Sequence, residues 1–328
     1  MMKSTVLVTG GAGYVGAVLV PKLLARGYRV KVLDWYIFGD TVKKHKNLRE
    51  IKGDLRDSKL VKKSLSGADA VIHLASISND PSFELNPRLA KTINYDATCF
   101  LIDGAKRANV ARFIYASSSS VYGVKRERNV TEDISLEPLT DYSKYKALCE
   151  TYLLQQQSDD FIPVVLRPAT VCGWSPRMRL DLTVNILTMN ALVNKKIIVN
   201  GGKQKRPNIH IEDVCRAYML MVSAPKEKIA GQIYNVGYQN YTILELAHMV
   251  RDTVGDPSVT ITVAPTNDPR SYRISSDKIK KELGFVPTHT IADAIADIKK
   301  AYEHGKIPHA MSDVLYSNIK TMQELQIQ

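Results

Sequence analysis

Cysteine is scarce in this chain, with four residues in 328, at positions 99, 149, 172 and 215. Their spacing gives neither a metal-ligand set nor a disulfide framework, so no metal is expected and a reduced, cytoplasmic setting fits best. No apolar run approaches the roughly twenty residues of a membrane span, and no low-complexity linker or internal repeat sets a further domain apart. Acidic residues are the minority charge: 33 Asp plus Glu face 45 Lys plus Arg, a net charge of +12. Such an excess attracts anions in general. It is dispersed, however, with clusters only at Lys43-Lys44-His45-Lys46 and Lys203-Gln204-Lys205-Arg206. Neither a recognition helix nor an aromatic-basic motif accompanies them, so nucleic acid is not the expected partner. A small phosphate-bearing ligand needs only one or two such clusters. The chain opens almost directly on the apolar run Thr5-Val6-Leu7-Val8, so no signal peptide is expected.

What is present is a 45% hydrophobic chain long enough to bury one large α/β unit and a smaller lobe. Thr5 to Val8 reads as a buried strand, and Tyr14 to Arg26 carries helical apolar spacing through Val15, Val18, Leu19, Leu23 and Leu24. Between them lies Gly10-Gly11-Ala12-Gly13-Tyr14-Val15-Gly16. Gly10 permits a sharp strand-to-helix turn, Gly13 removes a Cβ that would block a pyrophosphate, and Gly16 lets helix and strand approach closely. The helix N-terminus at Tyr14 and Val15 then offers free N–H groups to phosphates. A string of this kind alone is also compatible with a purely structural turn. Its context argues for a dinucleotide: Arg29 to Leu33 forms a second strand ending at Asp34, where a carboxylate would accept a ribose diol and repel a 2′-phosphate. NAD is therefore expected over NADP.

The strand pattern continues through Asn47 to Lys52, Ala70 to His73, Arg112 to Ala116 and Pro163 to Arg167. Asp54 and Leu55, after the third strand, are candidates for the adenine end, with loop capping as the alternative for Asp54. Leu74, Ala75 and Ser76 follow the fourth strand and would lie under the dinucleotide. His73 reads as a packed, hydrogen-bonded residue. Asn94, in a helical segment from Pro87 to Asn109, is a candidate cofactor residue through a polar network near Lys146, with an ordinary helical surface residue as the alternative. Alternating strands and helices argue for a doubly wound parallel sheet with its binding edge at the strand carboxyl ends.

Tyr142 and Lys146 are four residues apart, so a helix starting near Asp141 stacks them on one face. A free phenol, with a pKa of about 10, is too weakly acidic to act as a base near neutrality. A lysine ammonium beside it favours the phenolate. Ser118, in Ser117-Ser118-Ser119-Ser120-Val121-Tyr122-Gly123, would hydrogen-bond the reacting oxygen. Together these point to redox chemistry at a secondary alcohol.

The ordered blocks GGAGYVG (10–16), GDLRD (53–57), HLAS (73–76), SSSSVYG (117–123), YSKYK (142–146), RPATVCG (167–173), RPNIHIEDV (206–214) and ELGFVP (282–287) resemble the extended short-chain dehydrogenase/reductase family over nearly the whole chain. The nucleotide-sugar epimerases similar to UDP-glucose 4-epimerase are the nearest group. The resemblance implies a Rossmann domain over 1–173 and a smaller substrate-binding lobe over 174–328, with segments returning to the large domain. It implies Ser118, Tyr142 and Lys146 in the catalytic positions and Gly10, Gly13, Gly16, Asp34 and Asp54 in the cofactor positions. It also implies a nucleoside diphosphate sugar held by Ser118, Tyr142, Thr170, Asn185 and Arg206, with Arg270 as a further candidate, and a homodimer.

Two departures matter. Thr170 replaces an asparagine found in many relatives, and Ile77-Ser78-Asn79-Asp80-Pro81 differs from the epimerase loop. Related 4,6-dehydratases carry an Asp-Glu pair where this chain has Ser119 and Ser120, so dehydration lacks its usual proton relay. Epimerisation at C4 through a transient 4-keto sugar is thus the expected reaction. A 4-ketoreductase is the alternative, and a noncatalytic dinucleotide-binding protein is a third reading. The terminal segment from Ser317 to Gln328 carries no recognisable chemistry.

Overall fold

The computed structural model describes residues 4–125, 127, 129–266 and 271–326. Short apolar runs, separated by helices of matching period, assemble as expected of βα units. In chain order these are β1 (Thr5–Thr9), α1 (Gly16–Ala25), β2 (Arg29–Asp34), β3 (Leu48–Lys52), α2 (Ser58–Leu65), β4 (Ala70–His73), α3 (Asp80–Leu85), α4 (Pro87–Lys91), α5 (Ala97–Arg107), β5 (Arg112–Ala116), α6 (Asp141–Leu154) and β6 (Ile162–Pro168). The second half adds β7 (Thr170–Cys172), α7 (Thr183–Met189), β8 (Lys196–Asn200), β9 (Lys205–His210), α8 (Ile211–Ser223), α9 (Lys226–Ile229), β10 (Gln232–Val236), β11 (Gln239–Thr242), α10 (Ile243–Val254), β12 (Thr260–Ala264), α11 (Asp277–Leu283), α12 (Ile291–Glu303) and α13 (Asn318–Glu324).

Seven strands form one sheet in the order β10-β6-β5-β4-β1-β2-β3, every neighbouring pair parallel. Alternation along each strand sends side chains to both faces. In β1, Val6 and Val8 enter the core shared with α1 and α8, while Leu7 enters the core shared with α2, α5 and α6. Both faces are thus covered, the condition under which an all-parallel sheet is stable. The order reverses between β1 and β4, which opens a crevice at the strand carboxyl ends. Strand β10, drawn from the second half, pairs with β6 and completes the sheet. The remaining second-half strands make a three-stranded sheet, β11-β9-β7, and a parallel pair, β12-β8.

The helix expected over 87–109 is divided. A π-helical turn at Thr92–Asp96 separates α4 from α5, and it buries Asn94 beneath the crevice. Elsewhere local signals place the helix ends. Thr242 and Glu245 make a reciprocal capping box on α10, and Gly284 ends α11 in the left-handed conformation. No helix among the described residues is long and apolar enough to cross a membrane.

Candidate active site

The crevice deepens into a cavity of about 480 Å³ lined from both halves of the chain. At its dinucleotide end, Gly10 has a φ of 73°, and a Cβ there would come within 2.6 Å of the Ala75 nitrogen. A Cβ at Gly16 would collide with the Gly10 carbonyl oxygen. Gly13 faces the cavity, as do Tyr14 and Val15. No side chain caps the N-terminus of α1, and its first residue, Gly16, lines the cavity, so the end of the helix that favours an anion lies at this wall. Asp34, half-buried at the end of β2, accepts from Ala12 N at 2.9 Å and Tyr36 N at 2.7 Å. Burial raises its pKa and these backbone donors oppose the rise. A turn that side chains cannot occupy, an uncapped helix start and a carboxylate at the strand end together fit the diphosphate and ribose of a dinucleotide.

Leu55, Leu74, Ala75 and Ser76 line the same cavity. Asp54 does too, while its carboxylate accepts from Arg56 N at 2.8 Å and pairs with the Arg56 guanidinium at 2.7 Å. Asn94 does not line the cavity. Its amide clamps the Ile77 backbone, accepting from Ile77 N at 2.8 Å and donating to Ile77 O at 2.9 Å, so it shapes the wall from behind. His73 is buried between the hydroxyls of Thr9 at 2.6 Å and Thr98 at 2.9 Å. Burial pulls its pKa down to about 3, so it stays neutral.

Farther along the cavity, Thr140 caps α6 in a reciprocal box with Ser143, which fixes the helix phase and turns Tyr142 and Lys146 inward together. Ser118 caps the short 3-10 turn Ser119–Tyr122 beyond β5, accepting from Ser120 N at 3.1 Å, and its hydroxyl helps hold the Tyr142 phenol down. Lys146 is buried and donates from Nζ to the Ala116 carbonyl at 2.8 Å. Burial pulls its pKa down to about 8. Tyr142 lies deep in the protein but keeps part of its ring open to the cavity. Burial pushes its phenol up to about 12, and the cation that opposes this most is Arg179. The Lys146 ammonium, expected to favour the phenolate, sits 5.8 Å from the Tyr142 ring centroid, with its hydrogen bond turned to the backbone.

Beneath this trio lies a buried polar network. Glu150, one turn after Lys146, pairs with Arg167 of β6 at 2.6 Å and accepts from the Ser117 hydroxyl. Arg167 also donates to the Tyr122 hydroxyl at 2.8 Å, which donates to Asn235 Oδ1 of β10 at 2.8 Å. The network ties α6, the Ser117–Gly123 loop and two strands together. It thereby sets the distance between Ser118 and the Tyr142/Lys146 helix face.

At the opposite end Thr170 and Arg206 line the cavity. The nearby carboxylates of α8 pair elsewhere: Glu212 binds Lys22, and Asp213 binds Arg216. Asn185 is fully buried and does not line the cavity. It accepts from Gly173 N at 3.1 Å and donates to the Tyr14 hydroxyl at 3.0 Å and the Arg179 carbonyl at 2.9 Å, so it braces the 173–179 segment against the glycine turn. Arg270 lies outside the described residues. Phe38, Asp80, Tyr272, Asn318 and Met322 also line it. None of them stands in a motif, and only the packing of distant segments brings them here.

A doubly wound parallel sheet with a glycine turn at its switch point is the fold of a dinucleotide-binding enzyme, and a Ser/Tyr/Lys group lines the same cavity. Comparison with known proteins narrows the class. The chain belongs to the NAD dependent epimerase/dehydratase family, whose sequence model matches residues 6–237. A dTDP-glucose 4,6-dehydratase of Streptomyces niveus is 28% identical over 318 residues, spanning 92% of this chain and 93% of its own. A UDP-glucose 4-epimerase of Lactobacillus helveticus is 29% identical over 312 residues, spanning 88% and 94%. The solved structure of MoeE5 in complex with UDP-glucuronic acid and NAD superposes with a TM-score of 0.81 at 28% identity, covering 92% of this chain and 99% of that one.

Proposed function

We propose that this chain is an NAD-dependent nucleotide-sugar epimerase acting at C4 of the sugar. Gly10, Gly13, Tyr14, Val15, Gly16 and Asp34 hold the dinucleotide, with Leu55, Leu74, Ala75 and Ser76 along its length. When bound, NAD supplies an acceptor for a hydride from the sugar carbon and a donor that returns it. Tyr142 takes the proton of the C4 hydroxyl as the ketone forms and gives it back on reduction. Ser118 orients that oxygen, and Lys146 positions the nicotinamide end. The positive charge of oxidised nicotinamide adds to that of Arg179 in drawing down the phenol that burial raises. Rotation of the 4-keto sugar exposes its other face before reduction. Thr170 and Arg206 stand on the sugar-nucleotide side, where a guanidinium suits a diphosphate.

The observation that carries epimerisation over dehydration is the hydroxyl pair after Ser118. Ser120 Oγ donates to Ser118 at 2.9 Å, and Ser119 Oγ lies 3.3 Å from the Tyr272 hydroxyl. Elimination across C5 and C6 needs an acid and a paired base near these positions, and neither serine supplies one at neutral pH. A product-resolved assay on UDP-, dTDP-, GDP- and CDP-hexoses tests the reading. The expected outcome is a C4 epimer formed with no net consumption of NAD(H). A 4-keto-6-deoxy product overturns it in favour of dehydration, and stoichiometric NAD(P)H use in favour of a ketoreductase. The same preparation, run at several concentrations on a sizing column, tests the proposed homodimer.

The cofactor choice is separately testable. Asp34→Ala should weaken NAD by roughly tenfold or more, the loss of a charge-assisted hydrogen bond of about 1.5–3 kcal/mol. It should leave NADP unchanged or tighter, because the repulsion of a 2′-phosphate goes with the carboxylate. Titration of both nucleotides decides it. An equal loss for the two would mean that Asp34 only supports the turn.

A further inference from the structure

Beyond α12 the chain turns back to the cavity, in a stretch to which the sequence assigns no chemistry. A short 3-10 turn, Val314–Tyr316, leads into α13, which packs against α3. Two side chains of α13, Asn318 and Met322, line the cavity. Asn318 bridges two segments that each supply cavity residues, the loop after β4 and the stretch before α7. Its Nδ2 donates to Ser78 O at 3.1 Å and to Ser78 Oγ at 2.9 Å, and its backbone N–H donates to Asp181 Oδ2 at 3.2 Å. Leu180 N donates to the Tyr316 carbonyl at 2.8 Å. Met322 belongs to a small apolar cluster with Ile77, Phe83 and Ile93, against which Trp35 and Tyr142 also pack. Trp35 follows Asp34 at the ribose end of the cavity and Tyr142 stands at the reacting end, so the cluster runs alongside the length that a dinucleotide would occupy. The anchorage is slight. Across residues 311–326 only Asn318, Thr321 and Met322 are buried, and only the last is apolar. A terminal segment that shares so little of the core opens at far lower cost than the sheet.

We infer that residues 313–324 form a strap that closes the cavity over the bound dinucleotide, so that NAD enters and leaves only when the strap lifts. Met322 supplies the wall toward the cofactor, and Asn318 is a positioning residue that pins the helix to the loop after β4 and to the stretch before α7. This rests on the NAD reading above. The chemistry gives such a closure its use. In an epimerase the hydride returns to the sugar within one cycle, so the cofactor ends each turnover in its starting form and need not leave. A strap then slows cofactor exchange without slowing turnover. The sugar nucleotide, by contrast, must come and go in every cycle. The dinucleotide is the favoured occupant because the strap's apolar cluster reaches Trp35, beside Asp34, whereas Thr170 and Arg206 stand on β7 and β9.

The test follows NADH fluorescence in nucleotide-stripped full-length protein by stopped flow, first on mixing and then on a chase with excess NAD. Asn318→Ala and Met322→Ala should each speed both uptake and release of NADH by about fivefold to fiftyfold, the change in open fraction that follows from losing a buried amide's hydrogen bonds or a buried apolar side chain. The affinity for UDP, measured by calorimetry, should stay within about twofold, because the sugar nucleotide lies outside the strap. Faster release with unchanged uptake would make Met322 an ordinary wall contact and overturn the strap. Unchanged rates, or a change confined to UDP, would overturn it too. Should a variant fail to fold, amide exchange of the wild type decides. Peptides from residues 313–324 should exchange about tenfold or more slowly at saturating NAD than without it, and UDP should not slow them. Exchange that NAD leaves unaltered overturns the inference. Wild-type protein that binds neither NAD nor NADH would instead remove the functional reading on which the inference rests.

Discussion

Tyr142→Phe should lower kcat by about 10²–10⁴-fold, the usual range for loss of a proton-transfer group, with little change in thermal stability. The ring keeps its packing and only the hydroxyl goes. The pH dependence carries the sharper information. Because burial pushes the Tyr142 phenol up to about 12, the anion is the minority form of the free protein at neutral pH. The rate of sugar oxidation should therefore climb with pH across the neutral range, flattening once the pKa of the liganded site is passed. In Tyr142→Phe that climb should vanish along with the activity. A variant that retains turnover and the same pH limb would show that another group moves the proton, and the proposed mechanism would fall.

Glu150→Ala should destabilise the fold by about 3–5 kcal/mol, because it leaves the Arg167 guanidinium buried without its carboxylate. Both side chains are only 3% exposed, so water cannot compensate for the loss. Chemical denaturation followed by circular dichroism measures it. Replacing both partners with apolar residues of similar volume should recover most of the stability, since it removes the charge rather than stranding it. Activity should not return with stability in that double variant. The network through Ser117, Tyr122 and Asn235 spaces Ser118 against the Tyr142 and Lys146 face, and apolar side chains cannot reproduce that spacing. Recovery of both properties together would mean that the pair serves stability alone.

The two predictions separate what can be read along the chain from what cannot. The glycine turn, Asp34 at a strand end, and Tyr142 four residues before Lys146 are local relations, fixed by the geometry of one turn or one helix. Helix caps are local too, as Thr242 with Glu245 illustrates. Asn94 and Asn185 mark where this reading fell short. Both stand in the blocks or helices that suggested ligand contacts, and both spend their amides on backbone and side-chain groups of neighbouring segments instead. A polar residue in a motif looks the same whether it faces a ligand or braces the wall behind one.

By itself, then, the sequence determined the class of sheet, the cofactor turn and the hydroxyl–phenol–ammonium trio, because each follows from periodicity or spacing within a few residues. Tertiary structure alone decided that Arg179 is the leading cation acting on Tyr142, that β10 returns to complete the sheet, and that Asn318 reaches the cavity from 141 residues beyond Arg177. Those contacts join segments far apart along the chain. Which pairs meet is set by the packing of the whole core, and no local pattern encodes it.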